Sequence, residues 1–557
     1  MQTPPQQHAR FKLWAAVGLS AVLLELPFPL AGPLPPWRSV FAWFALVPLL
    51  WAVVDSAASA HPHPVRRSFL LAYTCGVLWY LGNCYWIRDV MSQYGDMPSL
   101  APTLLLVGFS LVLGLYFALF GLAVALVQKA TGSTRLSLAA APVFWVALEL
   151  AAARITSVPW DQLGYSQVDN ALVNQLAPFT GVYGISFLIV FVNALIAVGL
   201  LCLHCRHRQI ASAVGVVLAL AASASLFLKP PAPEPTALAV LIQPNLDVSG
   251  QSLWSAPGEW ERHLADFARL AAENCKSFIA GIPQTGAPLA APPCNAQHPD
   301  LIVWPESPAP FFEDDARFQK SIIAIAQVNK APLVVGNIGM DFSPDIGAWR
   351  QFNSALVVSA DGSRVGRYDK IHLVPFGEYV PFSRLLFFAR KLTGKVSRFD
   401  RGDERKVFRL NGHRYGVFIC YESVFADEVR EFSELGAEVL VNISDDGWYG
   451  DTSAPWQHLN MARMRAIENR RWILRDTNNG VTAAIDPYGR VRQSIPRHAA
   501  DALPAAYGFN DEVTFYSRHG DVFAWLCAIL GFGIVVWAAR KLLGQFARAQ
   551  VQSKVRS

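Results

Sequence analysis

The sequence predicts a two-part fold: a polytopic α-helical membrane bundle of about eight spans, and an α/β domain set before the last of them. Three observations predict it. The first 230 residues run as apolar segments broken by short polar connectors, and one more apolar segment lies near the chain end. Between them, from the proline-rich "LKPPAPEPTA" (228–237) to residue 512, short β-type runs alternate with amphipathic helical patterns. Basic residues fall in every second connector.

The apolar segments cover 13–31, 37–54, 68–87, 102–127, 137–153, 178–202 and 210–228, with 521–539 as the eighth. Composition agrees: only 16% of the 557 residues are charged, against roughly 25% in soluble domains. Several segments hold Pro or Gly, which bundled membrane helices tolerate. The first segment lacks a small-residue cleavage site and is followed by more spans, so it reads as a retained helix and not a signal peptide. Arg10 and Lys12 precede span one, and Arg66 and Arg67 separate spans two and three. Lys129 and Arg135 separate four and five, and Arg206 and Arg208 separate six and seven. Basic connectors mark the cytoplasmic side. Both termini, including the basic tail after 540, are therefore expected inside, and the α/β domain outside. The net charge of +5 is modest and sits in these connectors, so it signals topology and not a nucleic-acid surface. Three parts are expected: a bundle of about seven helices over 1–230, the α/β domain over 231–512, and a terminal helix with basic tail over 513–557.

Within the middle part, strands are expected at "ALAVLIQ" (237–243), "LIVW" (301–304), "APLVVGN" (331–337), "SALVVSADG" (354–362), "RYGVFIC" (414–420) and "AEVLVNIS" (437–444). Helical patterns lie at 260–273, 315–329, 423–434 and 456–471. The alternation implies sheet covered by helices. "SADGSRVGRYDK" sets Asp-Gly between two strand-like runs, a hairpin signal. The stretch 281–299, rich in Pro, Ala and Gly, reads as an exposed loop.

Three strand ends carry reactive side chains: Glu306 in "LIVWPESPAP", Lys370 in "RYDKIHLVPFGEYVPF" and Cys420 in "FICYES". Chemistry collects at the carboxyl ends of strands in α/β sheets. A carboxylate can take a thiol proton so that sulfur attacks as thiolate. A fixed ammonium stabilises the oxyanion that follows. The set suits acyl transfer and requires no metal or cofactor. Taken singly, each residue has a plainer reading. Cys420 packs as a small hydrophobe, Glu306 caps the next helix, and Lys370 is a solvated hairpin residue. The eight cysteines show no paired metal-binding spacing. Cys202 and Cys205 form a lone CxxC beside "RHR", a weak signal. Cys275 and Cys294 fall in the part expected outside, where a disulfide is permitted, and two free thiols are the alternative.

"WPES", "YDKIHLVPFGEYVP" and "CYES", in this order and spacing, resemble the nitrilase superfamily. Together with "HLVPFGEYVPF", the run "NISDDGWYGDTSAPWQHLNMARMRAIENRRWILRDTNNG" (442–480) resembles the apolipoprotein N-acyltransferases, the membrane-embedded branch of that superfamily. The resemblance covers about 237–520 in sequence and the whole chain in topology. It implies an αββα sandwich, with Cys420 as nucleophile, Glu306 as base and Lys370 completing the triad. It implies supporting roles for Glu378, for Tyr421 and Glu422 after the nucleophile, and for Asn353. Trp448 and Tyr449 match a mobile aromatic loop, and Trp254 matches an upstream tryptophan, with Trp260 close by. The implied partners are a phospholipid acyl donor, a diacylglyceryl apolipoprotein acceptor and the lipid bilayer, with no nucleic acid and no cofactor. The implied location is the bacterial cytoplasmic (inner) membrane, with the catalytic domain on the periplasmic side. Two other readings are a membrane-tethered nitrilase-type amidase and a non-catalytic lipoprotein-binding scaffold. The long bundle argues against the first, since a tether needs one span. The intact Glu-Lys-Cys set argues against the second.

Overall fold

The computed structural model describes residues 4–95, 97, 100–201, 206–228, 231, 233–248, 258–272, 298–306, 311–345, 347–375, 377–379 and 399–556. The chain divides into two compact units. One comprises Met1–Arg88, Leu100–Leu228 and Asp521–Ser557; the other comprises Asp89–Ser99 and Lys229–Gly520.

Among the described residues of the first unit, eight long helical segments coincide with the eight apolar stretches. They are Pro4–Glu25, Pro36–Ala58, Pro64–Asn83, Ala101–Thr131, Thr134–Ile155, Val182–Leu200, Arg206–Phe227 and Val522–Arg556. Six are both long and apolar enough to cross a membrane. Pro4–Glu25 and Pro64–Asn83 are 22 and 20 residues long, which meets the spanning length of about 20. Charged and polar residues such as Lys12, Glu25, Arg66 and Arg67 dilute their hydropathy. The expectation of eight apolar spans is thus met in helices and reduced to six on hydropathy.

The second span is broken. Pro36–Trp43 is a 3-10 turn series and Val47–Ala58 an α-helix. A break in apolar surroundings is tolerated where side chains take up the freed backbone groups. Asn193 does so: its Oδ1 accepts from Leu46 N at 2.9 Å and its Nδ2 donates to Ala42 O at 2.9 Å. Ser20 donates to Ala45 O and accepts from Leu49 N at 3.3 Å.

The second unit contains two six-stranded sheets among its described residues. The strands are β1 (Ala237–Gln243), β2 (Leu301–Val303), β3 (Leu333–Ser343), β4 (Ala348–Val358), β5 (Arg364–Asp369), β6 (Val407–Leu410), β7 (His413–Ile419), β8 (Val439–Ser444), β9 (Trp472–Thr477), β10 (Ala483–Ile485), β11 (Val491–Ser494) and β12 (Asp501–Tyr507). The first sheet runs β12-β1-β2-β3-β4-β5 and the second β11-β10-β9-β8-β7-β6. β1, β2 and β3 are mutually parallel neighbours, as are β7, β8 and β9, and the flanking strands are antiparallel. The sheets face each other, β1 against β9 and β12 against β10. They are tied by the Tyr415–Tyr507 hydroxyl pair at 2.8 Å.

Helices cover both outer faces. Glu259–Ala272 and Ala316–Asn329 bury Leu264, Phe267, Phe318 and Ile322 against Val240, Ile302 and Val335 of the first sheet. Ala426–Glu434 and Ala454–Asn469 pack on the second sheet, against β7 and β9. The parallel strands are covered on both sides, so they read as continuous apolar runs and not as alternating ones. The hairpin is present: β4 and β5 pair antiparallel across Ser359–Ser363, and Gly362 takes φ +88 there. Gly362 N donates to Ser359 O at 2.9 Å.

The expected part boundaries shift in two places. Asp89–Ser99, expected within the bundle, clusters with the second unit, where the Tyr94 hydroxyl donates to Gly447 O at 2.9 Å. Residues 513–520, expected with the last helix, also belong there. Thr514 Oγ1 donates to Glu468 O and Ser517 Oγ to Asn469 Oδ1, both at 2.8 Å.

Candidate active site

Glu306 follows β2, Lys370 directly follows β5, Cys420 directly follows β7, and Asn353 lies within β4. The fold brings all four together. Lys370 Nζ lies 3.0 Å from Glu306 Oε1 and 3.0 Å from Glu378 Oε1. The Asn353 amide donates to the same two oxygens at 2.6 Å each. Glu306 Oε2 accepts from Asp445 N at 2.9 Å, and Glu378 Oε2 from Val374 N at 2.7 Å. One ammonium and one amide thus bridge two carboxylates, with Lys370 only 1% exposed. Glu378 braces the lysine. The Cys420 thiol is within hydrogen-bonding reach of Glu306 and of Ser444.

The electrostatics set the resting protonation. Burial alone would raise Glu306, but the Lys370 ammonium and the Asn353 amide outweigh it and hold the carboxyl below the usual range. Burial alone would lower Lys370, but Glu306 and Glu378 hold it well above its ordinary value. Burial, then the Glu306 charge, pushes the Cys420 thiol well up, against the pull of Lys370. The site therefore rests as neutral thiol, carboxylate and ammonium. The carboxylate is free to accept the thiol proton when an electrophile arrives.

Cys420 has φ +50, a left-handed conformation that is uncommon for a side chain with Cβ. Neighbours hold it. Ile419 N donates to Glu422 Oε2 at 2.7 Å, and the other oxygen of Glu422 accepts from Tyr368 Oη at 2.8 Å, Ile371 N at 2.7 Å and His372 N at 3.2 Å. Glu422 therefore ties the chain beside Cys420 to the chain beside Lys370. The Cys420 carbonyl lies 3.1 Å from His458 Nε2. His458 Nδ1 is 2.9 Å from Asp446 Oδ1, and Arg475 donates to Asp446 Oδ2 at 2.7 Å. All three side chains are fully buried. Sequence reasoning missed this group. Its signal was Arg475 inside "WILRDT", a charge in an otherwise buried strand.

The remaining residues separate by surroundings. Tyr421 is buried, edge-on to Phe425 at 5.2 Å. Tyr449 is buried against the His458 ring at 5.7 Å. Trp448 is 41% exposed, and Tyr94 meets it edge-on at 5.4 Å. Trp260 packs on the helical layer, edge-on to Phe311 at 5.2 Å and under Arg317 at 4.6 Å, so it serves the core. Trp254, Cys202, Cys205, Cys275 and Cys294 lie outside the described residues. The described cysteines, Cys75, Cys84, Cys420 and Cys527, are free.

Two helix-covered sheets with cysteine, lysine and glutamate meeting at strand ends define a carbon-nitrogen hydrolase domain, here in a chain with membrane-spanning helices. The carbon-nitrogen hydrolase family matches residues 262–504, and the apolipoprotein N-acyltransferase N-terminal domain matches residues 20–195. The apolipoprotein N-acyltransferase of Geobacter metallireducens is 36% identical over 93% of this chain and 93% of its own length. That of Bordetella bronchiseptica is 31% identical over 94% and 96%, and that of Vibrio cholerae 29% over 86% and 90%. The chain belongs to the apolipoprotein N-acyltransferase family.

Proposed function

We propose that this protein moves the sn-1 acyl chain of a phospholipid, through a thioester on Cys420, to the α-amine of a diacylglyceryl-cysteine apolipoprotein. The observation that supports it most directly is the meeting of Cys420, Glu306 and Lys370 at three strand ends, with Lys370 Nζ 3.0 Å from Glu306 Oε1. In the first half, Glu306 takes the thiol proton and sulfur attacks the ester carbonyl carbon. Lys370 faces the oxyanion. The ester C–O bond then breaks, and the lysophospholipid leaves with the proton from Glu306. In the second half the free amine attacks the thioester, Glu306 takes its proton, and the C–S bond breaks to restore the thiol.

Asn353 and Glu378 hold Glu306 and Lys370 in place, and Glu422 and Tyr421 shape the ground beside the nucleophile. Trp448 and Tyr449 border the acyl chain, as does Trp254 in the family pattern. In this reading 231–512 carries the chemistry, and 1–230 with 513–557 anchors it in the bacterial inner membrane. Both termini are then cytoplasmic and the catalytic unit periplasmic, as the basic connectors argue.

The test is mass spectrometry of the Cys420 peptide after incubation with phospholipid alone. The expected result is one hydroxylamine-sensitive acyl adduct per active site, discharged by an added lipopeptide. An unmodified Cys420 in an enzyme that is turning over overturns the mechanism.

A further inference from the structure

We propose that an exposed aromatic rim at the active-site end of the first sheet, centred on Phe342 and Trp349, docks on the surface of a lipid bilayer. The proposal rests on the lipid-donor reading above. The inner halves of β3 and β4 are buried, but their distal halves, 340–343 and 348–351, run on beyond the core. β2 pairs with β3 only at Leu333 and Val334, and β5 pairs with β4 only from Ser354 onward. The distal part is therefore a two-stranded ribbon, a form with little stability of its own in water. Its base is braced: Asp400 N donates to Gln351 O at 2.6 Å, and Arg367 holds Asp341 at 2.6 Å.

The tip displays two uncovered rings. Phe342 and Trp349 stand directly opposite each other, with ring centroids 5.5 Å apart, and are 52% and 61% exposed. Tyr379 and Trp448 are the next exposed rings. Tyr379 adjoins Glu378, and Trp448 lies in the turn after Asp445, whose N–H holds Glu306. Among the described residues of this unit, the other exposed large aromatic is Phe515. The exposed rings thus gather at the end that carries the triad. Trp349 is four residues from Asn353 along β4, roughly 13 Å at strand rise.

Tryptophan and tyrosine favour the headgroup zone of a bilayer, where an apolar ring and a polar edge are both satisfied. A bilayer is the occupant the chain supplies. Spanning segments Arg206–Phe227 and Val522–Arg556 precede and follow this unit. The donor proposed for Cys420 is itself a bilayer lipid, so the edge carrying the triad has to meet the lipid surface.

The test uses the full chain reconstituted in phosphatidylcholine–phosphatidylglycerol vesicles with brominated acyl chains. Bromolipid quenching is compared between the wild type and Trp349→Phe, so that the difference reports Trp349 alone. Trp349 emission is expected to be quenched. A double variant, Phe342→Ser with Trp349→Ser, is expected to raise KM for donor in vesicles, relative to KM for a short-chain monomeric donor, by roughly tenfold. Unquenched Trp349 emission, or an unchanged KM ratio, overturns the proposal. So does a rise confined to the lipopeptide acceptor, which would make the rim a protein-docking surface. An unmodified Cys420 with the short-chain donor would sink the thioester reading while leaving the quenching result to decide this one.

Discussion

Replacing Lys370 with methionine keeps much of the side-chain volume and removes the charge. In the native site this ammonium is shared by two carboxylates at 3.0 Å each, and Asn353 bridges the same oxygens. Without it, burial acts on Glu306 with no cation to oppose it and drives that carboxylate to take up a proton. Breaking a buried pair by removing one partner costs about 3–5 kcal/mol in stability, and the proton uptake limits that cost. The kinetic loss has two sources. A missing oxyanion donor lowers the rate by about a hundredfold or more. A protonated Glu306 also cannot accept the thiol proton near neutrality.

The sign with pH follows. Native Glu306 is held below the usual carboxylate range, so acylation should be flat near neutral pH and fall only in acid. In Lys370→Met the Glu306 pKa is raised, so acylation should climb with pH through the neutral region. The assay is single-turnover acylation of Cys420 by phospholipid across pH, read by mass spectrometry. A variant whose pH profile overlies the wild type, scaled or not, would refute the claim that Lys370 keeps Glu306 ionised.

Four further outcomes are expected. Glu422→Gln turns an amide N–H toward a backbone donor that now faces an oxygen, so denaturant unfolding should show a loss of about 2 kcal/mol. Burial would raise Asp446, but Arg475 and His458 outweigh it and hold it below its ordinary value. Its stabilisation is therefore present above the unfolded value of about 3.9 and lost as pH falls through the folded one. Asp446→Asn should lower thermal stability at neutral pH and flatten the acid limb. Tyr94→Phe keeps the ring contact with Trp448 but deletes the 2.9 Å bond to Gly447 O, worth about 1 kcal/mol; amide exchange in 446–450 should quicken. A cysteine reporter at 285 should label from outside intact cells, while one at 207 should not; labelling of 207 alone would invert the topology.

The sequence carried some parts of this architecture openly and hid others. β1 was read at its true limits because a doubly covered strand is a bare apolar run. Glu306, Lys370 and Cys420 could be grouped because each sits at a strand end and the motifs around them resemble one family, and the structure brings their side chains together. β9 was missed because Arg475 and Asp476 interrupt the apolar run, and both are polar groups that only their three-dimensional partners explain. β12 was missed because Pro504 lies within it; opposite Val240 on β1, its carbonyl still accepts from Gln493 Nε2 at 3.0 Å. The His458–Asp446–Arg475 group spans 29 residues of chain between Asp446 and Arg475, so no local window displays it. Trp260 stands close to the upstream tryptophan that the resemblance implies, and in the structure it packs on the helical layer under Arg317.

The protonated state of Cys420 has a consequence beyond acyl transfer. Oxidation to sulfenic acid and mixed-disulfide formation both proceed through exposed thiolate. A thiol held buried and neutral, as Cys420 is here, presents little of that species to peroxide or to stray disulfides. In the proposed thioester route, resistance to oxidation and reactivity toward an ester would both draw on the same burial and Glu306 charge around Cys420.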